Sequence, residues 1–229
     1  LLSLSLAVSQ EQPKGRPSIA AFRVLANSIA IDGVLDEEGW RNADSCTELI
    51  QCEPVFNVPC TENTTIKILY DDENIYVGVM CYYRDMRDLV ANQLAHRDNA
   101  DDDQLYFVLD TFHNKTTGYS FGTNALGSKD EIFIDGPDRY DNDWNEVWEV
   151  RTQINSNNWC AEFRIPTRIL RFPNAHEQQW GFNVYRSLRK KNERAYFAPT
   201  APEYNISYLA VAGTITGIRD LGRKRNLQL

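Results

Sequence analysis

Short runs of β-branched and aromatic residues, separated by turn residues, recur along most of this chain. The clearest runs are residues 65–70, 75–82, 104–110, 118–124, 148–154 and 159–165, with later ones at 181–188, 195–198 and 212–218. Residues 71–74 and 155–158 are compact polar turns, so the runs on either side of each turn are predicted to form hairpins. This pattern predicts an all-β fold, a two-sheet antiparallel β-sandwich of the jelly-roll kind.

Helical patterns are short and few. Residues 36–43 are predicted to form one helix with Asp36 as its cap, and residues 166–170 a second with Pro166 in the first helical position. The sandwich therefore carries one or two short helices. Four tryptophans lie at the starts of elements or in strand patterns, where large aromatic side chains build a core: Trp40, Trp148, Trp159 and Trp180.

Charge excludes two classes of partner. The 229 residues include 24 Lys and Arg against 32 Asp and Glu, for a formal net charge of −8. Phosphate binding needs clustered positive charge, so neither nucleic acid nor an anionic membrane surface is an expected partner.

The ends of the chain differ in composition from the middle. Residues 1–17 begin with an apolar, small-residue stretch that resembles the end of a secretory signal peptide, followed by a polar, disordered lead. An amphipathic first strand is the competing interpretation. Residues 18–220 are predicted to form the sandwich, and residues 221–229 a linker or the start of a following domain. The expected location is outside the cytoplasm, in the periplasm, the outer membrane or at the cell surface.

Five cysteines are present, and their spacings match no zinc or redox motif. Cys46, Cys52 and Cys60 share one loop-rich stretch, where an oxidising compartment could close one disulfide. Cys81 and Cys160 lie within apolar strand patterns and are predicted to be buried.

The densest group of carboxylates lies in residues 98–103. Several carboxylates on one loop suit Ca²⁺, which takes six to eight oxygen ligands. We therefore expect a structural calcium ion, held by Asp101, Asp102 and Asp103 together with Asp130. A solvated acidic loop is the alternative.

The loop at residues 135–145 mixes acids and amides with Tyr140 and Trp144. Sugar recognition needs such a mixture, because an aromatic face packs on the C–H face of a pyranose while planar polar groups bind its hydroxyls. A hydrophilic turn with one packed tryptophan would have the same sequence. Tyr196 and Phe197 could form a second aromatic platform or belong to the core. The basic residues from Arg186 to Arg194 could be salt-bridged or could bind acidic or hydroxyl-rich ligands.

Catalytic motifs are not found in the sequence. Asp101, Asp103, Glu146 and Glu149 could supply a pair of carboxylates for glycoside hydrolysis, which needs a separation of about 5–10 Å. No nucleophile elbow, zinc-binding helix or glycine-rich phosphate loop occurs, so an enzyme is not predicted. A haem-binding sandwich is a further alternative, with iron ligands drawn from Met80, Met86, His96 and His113.

Four segments together resemble the family 9 carbohydrate-binding module, and the match extends over residues 19–220. They are residues 31–40, 68–79, 103–110 and 159–166. Residues 121–130 and 170–172 resemble the version found at the N-terminus of exported bacterial proteins with a predicted outer-membrane β-barrel. The resemblance implies a β-sandwich, export, frequent calcium binding and a non-catalytic binding role.

The resemblance transfers the fold better than the ligand residues. The family's aromatic before the strand at 104–110 falls near Ala100, its acidic sugar contact on Tyr106 and the following arginine on Gly122, while its late aromatic falls on Tyr196 or Phe197. A rebuilt sugar site is therefore predicted. Its candidate residues are Arg97, Tyr106, Tyr140, Trp144, Arg186, Tyr196 and Phe197.

The predicted function is non-catalytic binding of a polysaccharide or oligosaccharide by an exported, calcium-stabilised module. The alternative is a structural or interaction domain that keeps the sandwich and has lost the sugar site. In either case a C-terminal outer-membrane β-barrel or another envelope protein is an expected partner.

Overall fold

Two β-sheets pack face to face in the computed structural model, which describes residues 15–97, 100–136 and 139–222. This confirms the predicted two-sheet sandwich. Residues 1–14 of the expected leader and residues 223–229 of the expected linker lie outside the described residues.

The first sheet contains nine strands. In chain order they are β1 (Ser18–Ala20), β3 (Ile50–Glu53), β6 (Gln104–Asp110), β7 (Thr117–Asn124), β8 (Asp130–Asp135), β9 (Tyr140–Asp141), β12 (Glu177–Leu188), β13 (Glu193–Tyr196) and β14 (Gly213–Arg219). Their order in the sheet is β1, β14, β12, β6, β7, β8, β9, while β13 pairs with both β12 and β3.

The second sheet contains five strands. They are β2 (Phe22–Arg23), β4 (Thr64–Tyr70), β5 (Asn74–Tyr82), β10 (Glu149–Ile154) and β11 (Asn158–Pro166), and their order in the sheet is β10, β11, β5, β4, β2. The two predicted hairpins are confirmed as the antiparallel pairs β4–β5 and β10–β11.

The sandwich is not entirely antiparallel, because its N-terminal segment pairs in parallel at two edges. β1 lies parallel to β14 in the first sheet, and β2 lies parallel to β4 in the second. Ala21 alone separates these two short strands, and its N–H donates to the carbonyl of Thr216. Residues 18–23 therefore join the edges of both sheets.

Apolar side chains from both sheets meet in the main core, and Trp40 is buried in a second, smaller cluster with Leu69 and Tyr76. Phe107 of the first sheet contacts Phe163 of the second edge-on, with ring centroids 5.0 Å apart. All four tryptophans predicted to be structural are at most 2% exposed, which confirms their core role. Burying each such large side chain contributes about 1.5–3 kcal/mol or more to folding.

Helices are short, as predicted, but they begin at different residues from those expected. α1 spans Glu38–Asn42, and Glu37 rather than Asp36 is the residue before its first turn, with no side-chain cap. Trp40 explains this position, because its ring is buried and fixes the helix against the sheet. The second segment is a 3-10 helix at Thr167–Ile169, with Pro166 in extended conformation just before it.

Three further 3-10 helices span Met86–Asp88, Arg189–Lys191 and Leu209–Val211. Across the described ranges, helices are too short or too polar to cross a bilayer.

All five cysteines are free thiols in this structure, so the disulfide expected among Cys46, Cys52 and Cys60 is not formed. Cys46 lies on a backbone bridge to Ile66, whereas Cys52 belongs to β3, so the backbone places them on different elements. Burial raises the pKa of the Cys60 thiol to about 12. Cys81 and Cys160 are buried, as predicted.

Candidate functional site

A cavity of about 330 Å³ opens between the two sheets, beside β8. Its lining comes from β7, β8, the segment before β10 and the segment after β11: Tyr119, Phe133, Trp144, Glu146, Arg168, Ile169, Leu170 and Arg171. The cavity therefore combines aromatic rings with charged groups.

Aromatic rings form one wall of the cavity. Tyr119 on β7 contacts Phe133 on β8, with ring centroids 5.4 Å apart, and contacts Trp144 at 5.3 Å. Phe121, one layer deeper, meets the Trp144 ring at a steep angle with centroids 5.8 Å apart. These contacts hold the rings in a tilted cluster, and Trp144 and Phe133 keep part of their surface exposed to solvent.

A local turn and one arginine fix the backbone at Trp144. The Asp141 carboxylate accepts hydrogen bonds from the backbone N–H groups of Asp143, at 2.9 Å, and Trp144, at 3.1 Å. Arg97 Nη2 donates to the Trp144 carbonyl oxygen at 2.8 Å. The backbone of Trp144 is thereby held at both its N–H and its carbonyl oxygen.

Charged groups also line the cavity. Arg168 and Arg171 come from the segment after β11, and Glu146 comes from the segment that follows Trp144. The backbone of Arg171 is itself anchored, because its N–H donates to Tyr119 Oη at 3.0 Å and its carbonyl accepts from Thr111 Oγ1. The aromatic wall and the arginine segment are thus directly connected.

Behind the cavity, polar residues connect β6 and β8 to Arg97. Tyr106 Oη donates to Asp130 Oδ2 at 2.6 Å, and Asp130 Oδ1 lies 4.0 Å from Arg97 Nε. The buried carboxylate of Glu131 accepts from Trp148 Nε1 at 3.1 Å and lies 3.5 Å from Arg97 Nη2. Three predicted residues, Arg97, Tyr106 and Asp130, therefore lie together, and they support Trp144 rather than line the cavity.

The Tyr106 ring packs directly over Gly122 of the neighbouring strand β7. A Cβ atom added to Gly122 would lie 2.1 Å from the Tyr106 ring, so only glycine leaves room for that ring. These are the two positions on which the sequence resemblance places the family's acid and arginine.

Three other predicted sugar contacts, Arg186, Tyr196 and Phe197, are buried in the structure. Arg186 is 1% exposed; it donates to the carbonyls of Asn63 and Tyr82, at 2.8 and 2.7 Å, and its guanidinium stacks on Tyr83. Tyr196 and Phe197 are 1% and 2% exposed and pack in the interior. Tyr196 and Phe197 are buried because their rings are largely hydrophobic. Arg186 is buried because main-chain carbonyls accept its hydrogen bonds.

Tyr140 is exposed but lies apart from the residues that line the cavity. It belongs to β9, and its hydroxyl accepts a hydrogen bond from Asn205 Nδ2 at 3.2 Å. The prediction that Tyr140 contacts sugar is therefore independent of this cavity.

The four carboxylates predicted to hold calcium do not meet. Asp102 is fully buried and accepts from the N–H groups of Asn92 and Gln93, while Asp103 accepts from Tyr83 Oη at 2.5 Å and from Arg189 N. Asp101 pairs with Arg189, and Asp130 accepts from Tyr106. No three His, Cys, Asp or Glu residues among the described ones are placed to hold a metal. Their oxygens are used by protein donors, so these residues do not fit the ion.

The residues of the hydrolase and haem alternatives also have protein partners. Glu149 pairs with Arg164, and of the four candidate carboxylates only Glu146 lines the described cavity. His96 Nε2 lies 3.0 Å from Glu131, and Met80 Sδ accepts from Tyr82 Oη at 3.5 Å.

Six of the eight residues that line the cavity were not predicted from the sequence: Tyr119, Phe133, Arg168, Ile169, Leu170 and Arg171. Tyr119 and Phe133 look like ordinary inward-facing strand residues, so nothing distinguishes them from the core. The available signal was the pair of arginines that follows Pro166 in an acidic chain.

Solved structures with the same fold include carbohydrate-binding modules. A family 9 module from Caldicellulosiruptor kristjanssonii in complex with cellotriose is 16% identical, with a TM-score of 0.61, and the match covers 87% of this chain and 93% of that one. The same module with glucose gives 15% identity, a TM-score of 0.62 and coverage of 87% and 95%.

A candidate carbohydrate-binding protein from Bacteroides uniformis has a TM-score of 0.70 at 12% identity, with 88% of this chain and 99% of that one covered. No curated protein sequence matches the chain. The model of the family described as "carbohydrate family 9 binding domain-like" matches residues 31–205. That match spans most of the sandwich, and the chain therefore belongs to the carbohydrate family 9 binding domain-like family.

Proposed function

We propose that this protein is a non-catalytic carbohydrate-binding module and that its ligand occupies the cavity beside Trp144. Membership of a binding-module family supports the proposal, and so do structural relatives that were solved with cellotriose and glucose. These relatives share the fold, so the ligand of this chain has to be argued from its own residues.

The observation that carries the proposal is the composition of the cavity. Trp144, Tyr119 and Phe133 offer apolar ring surface, and Glu146, Arg168 and Arg171 offer acceptors and donors within the same 330 Å³. A sugar ring presents both a C–H face and hydroxyl groups, so it needs both kinds of surface at once.

The test is isothermal titration calorimetry of the chain with a panel of oligosaccharides, repeated with Trp144→Ala. We expect binding to at least one saccharide, and about a tenfold or greater loss of affinity in the variant because the largest ring of the wall is removed. Phe56→Ala is the matched control, since Phe56 is an exposed aromatic far along the chain from the cavity residues.

Thermal melts of both variants check that they are folded. Absence of binding by the wild type across the panel would favour the alternative, a structural domain that has kept the sandwich. Equal affinity of wild type and Trp144→Ala would move the sugar site away from this cavity, and Tyr140→Ala would then be the next variant to measure.

Calcium stays a prediction of the sequence and of the family resemblance. The four carboxylates first assigned to the ion are engaged with protein donors, so an ion would need other ligands. A thermal melt with EDTA and with added Ca²⁺ tests it, because an ion that binds only the folded state raises the melting midpoint.

Export, an envelope location and a β-barrel partner are likewise proposals that rest on the leader-like residues 1–17 and on the family resemblance. Fractionation of cells that express the native gene, with an antibody raised against residues 18–220, tests them. Recovery in the cytoplasmic fraction would contradict export.

A further inference from the structure

We infer that the cavity selects an acidic saccharide, one that carries a carboxylate or sulfate group on the sugar. This inference rests on the proposed function and names the class of ligand. Two arginines without acidic partners, adjoining an aromatic wall, are the features from which it is drawn.

Just over half of the arginines that the structure describes are neutralised by the protein itself. Eight of these fifteen form ion pairs with Asp or Glu: Arg23, Arg87, Arg97, Arg139, Arg164, Arg189, Arg194 and Arg219. Of the other seven, Arg16, Arg41, Arg151 and Arg186 donate from the guanidinium to protein oxygens, and Arg84 lies outside the lining of the cavity.

Arg168 and Arg171 differ from that group. Both side chains are exposed, both line the cavity, and in residues 15–97, 100–136 and 139–222 neither guanidinium forms an ion pair or a side-chain hydrogen bond. Their donors are thus available to a ligand. A guanidinium binds a carboxylate or sulfate through two parallel N–H···O bonds, which are stronger than hydrogen bonds between neutral groups.

The backbone restricts where these two cations lie. Arg171 N donates to Tyr119 Oη at 3.0 Å, and Leu170 N closes the 3-10 turn by donating to the Thr167 carbonyl at 3.2 Å. The arginine segment is therefore attached to the ring that also contacts Phe133 and Trp144. A sugar packed on the aromatic wall would have its substituents within reach of the guanidinium side.

Glu146 is the one acidic side chain among the residues that line the cavity, so the lining carries two positive charges against one negative charge. Asp141, in the neighbouring turn, uses its carboxylate to accept from two backbone N–H groups. The balance at the cavity is thus positive although the whole chain is negative. Glu146 remains able to accept a hydrogen bond from a sugar hydroxyl.

The experiment compares acidic oligosaccharides with their own neutral forms. Oligouronides are titrated by calorimetry before and after chemical reduction of their carboxyl groups, and sulfated oligosaccharides before and after desulfation. Each pair keeps its length and linkage, so charge is the only large difference, and the two arms separate a carboxylate ligand from a sulfate ligand.

We expect one acidic member to bind about tenfold or more tightly than its neutral counterpart, and the ratio to fall as salt rises from about 0.05 to about 0.5 M. Arg168→Gln and Arg171→Gln should lower the affinity for the acidic form more than the affinity for the neutral form, so that the ratio of the two affinities falls towards one. Arg87→Gln removes the same charge from the exposed Asp85 pair and should change neither.

The outcomes separate this inference from the proposed function. If neutral forms bind as tightly as acidic ones, and Trp144→Ala abolishes both, the cavity is a neutral sugar site and the inference is overturned while the proposed function stands. If the arginine variants bind acidic forms like the wild type, the inference is also overturned. If neither the acidic nor the neutral form binds, both the inference and the proposed function are overturned.

Discussion

A single side chain, Tyr106, connects β6 to the residues that support Trp144. Its ring lies where a Cβ on Gly122 would be, and its hydroxyl donates to Asp130 at 2.6 Å. Asp130 faces Arg97, and Arg97 holds the Trp144 carbonyl. Tyr106 and Asp130 therefore belong to the polar residues that support Trp144.

Gly122→Ala tests this packing. The added methyl group should displace the Tyr106 ring and lower the free energy of unfolding by about 1–3 kcal/mol, the usual cost of overpacking. Urea denaturation measures it, and Gly15→Ala is the control because a Cβ at Gly15 meets nothing within 4 Å. Adding Tyr106→Ala should recover part of the loss; additive effects of the two substitutions would show that the ring is not the obstacle.

Individual site residues were the hardest features to predict from the sequence. Of the residues predicted to contact sugar, Trp144 lines the cavity and Arg97 donates to its carbonyl oxygen, and both predictions remain to be tested. Arg186 and Tyr196 have the same chemistry but are buried, and the partners that bury Arg186, such as the carbonyl of Asn63, lie over a hundred residues away along the chain. No local pattern reports such a partner.

Among the elements, β11 carries a buried carboxylate that joins it to the segment before α1. Glu162 accepts hydrogen bonds from the backbone N–H groups of Asp32 and Gly33, at 3.0 and 3.1 Å, and from Trp40 Nε1 at 2.9 Å. Gly33 has a φ of +91°, and a side chain there would meet the backbone of Thr152. This carboxylate and this glycine together fix the path of residues 32–40 across the second sheet.

Burial raises the pKa of Glu162 to about 7, although the three N–H donors oppose the shift. Between about pH 4.5 and pH 7 the unfolded chain loses this proton while the folded chain keeps it. The free energy of unfolding should therefore fall across that range, by about 3 kcal/mol from this group, and level off above it.

Urea denaturation of wild type and Glu162→Gln at several pH values isolates the contribution. The variant should be less stable at low pH, because its amide cannot accept all three hydrogen bonds, and the stability difference between the two proteins should shrink as the pH rises to 7. A difference that is constant with pH would contradict the raised pKa.

Elements with a local signal were predicted well. The β4–β5 and β10–β11 hairpins have polar turns between alternating strands, and their pairing is confirmed. Five strands were missed: β1, β2, β3, β8 and β9. The first three are short and pair with strands far away along the chain, so no local pattern marks them. The observed α1 is shorter than the helix predicted at residues 36–43. Burial of Trp40, and not a cap at Asp36, decides where it begins.

At the scale of the whole molecule, cysteines lie in both sheets, so the reactivity of their thiols shows whether the sandwich is folded. Cys52 belongs to the first sheet, and Cys81 and Cys160 to the second. Burial raises the pKa of Cys81 to about 11 and that of Cys160 to about 12. Thiolate, the reactive form, is therefore scarce in the folded chain at about pH 8.

Titration with a chromogenic disulfide reagent at ~pH 8 should show slow reaction of the native chain and rapid reaction of all five thiols after unfolding without reductant. The Cys60→Ser variant is the control, and it should show four reactive thiols after unfolding. Recovery of three thiols from the unfolded wild type would instead reveal the disulfide that was predicted among Cys46, Cys52 and Cys60.

The parallel pairing of Ser18–Ala20 with Thr214–Thr216 also sets the order in which this domain can be completed. The two partners lie roughly 200 residues apart, so the first strand to be synthesised has no neighbour in its sheet until the last strand has been made. During synthesis the N-terminal strand therefore lacks its partner in the sheet. The sandwich can close only after the last strand has been made. Removal of β1 would expose the edge of β14, whereas removal of β14 would expose the edge of β12 and leave β1 without its partner, so the C-terminal truncation should be the more damaging of the two.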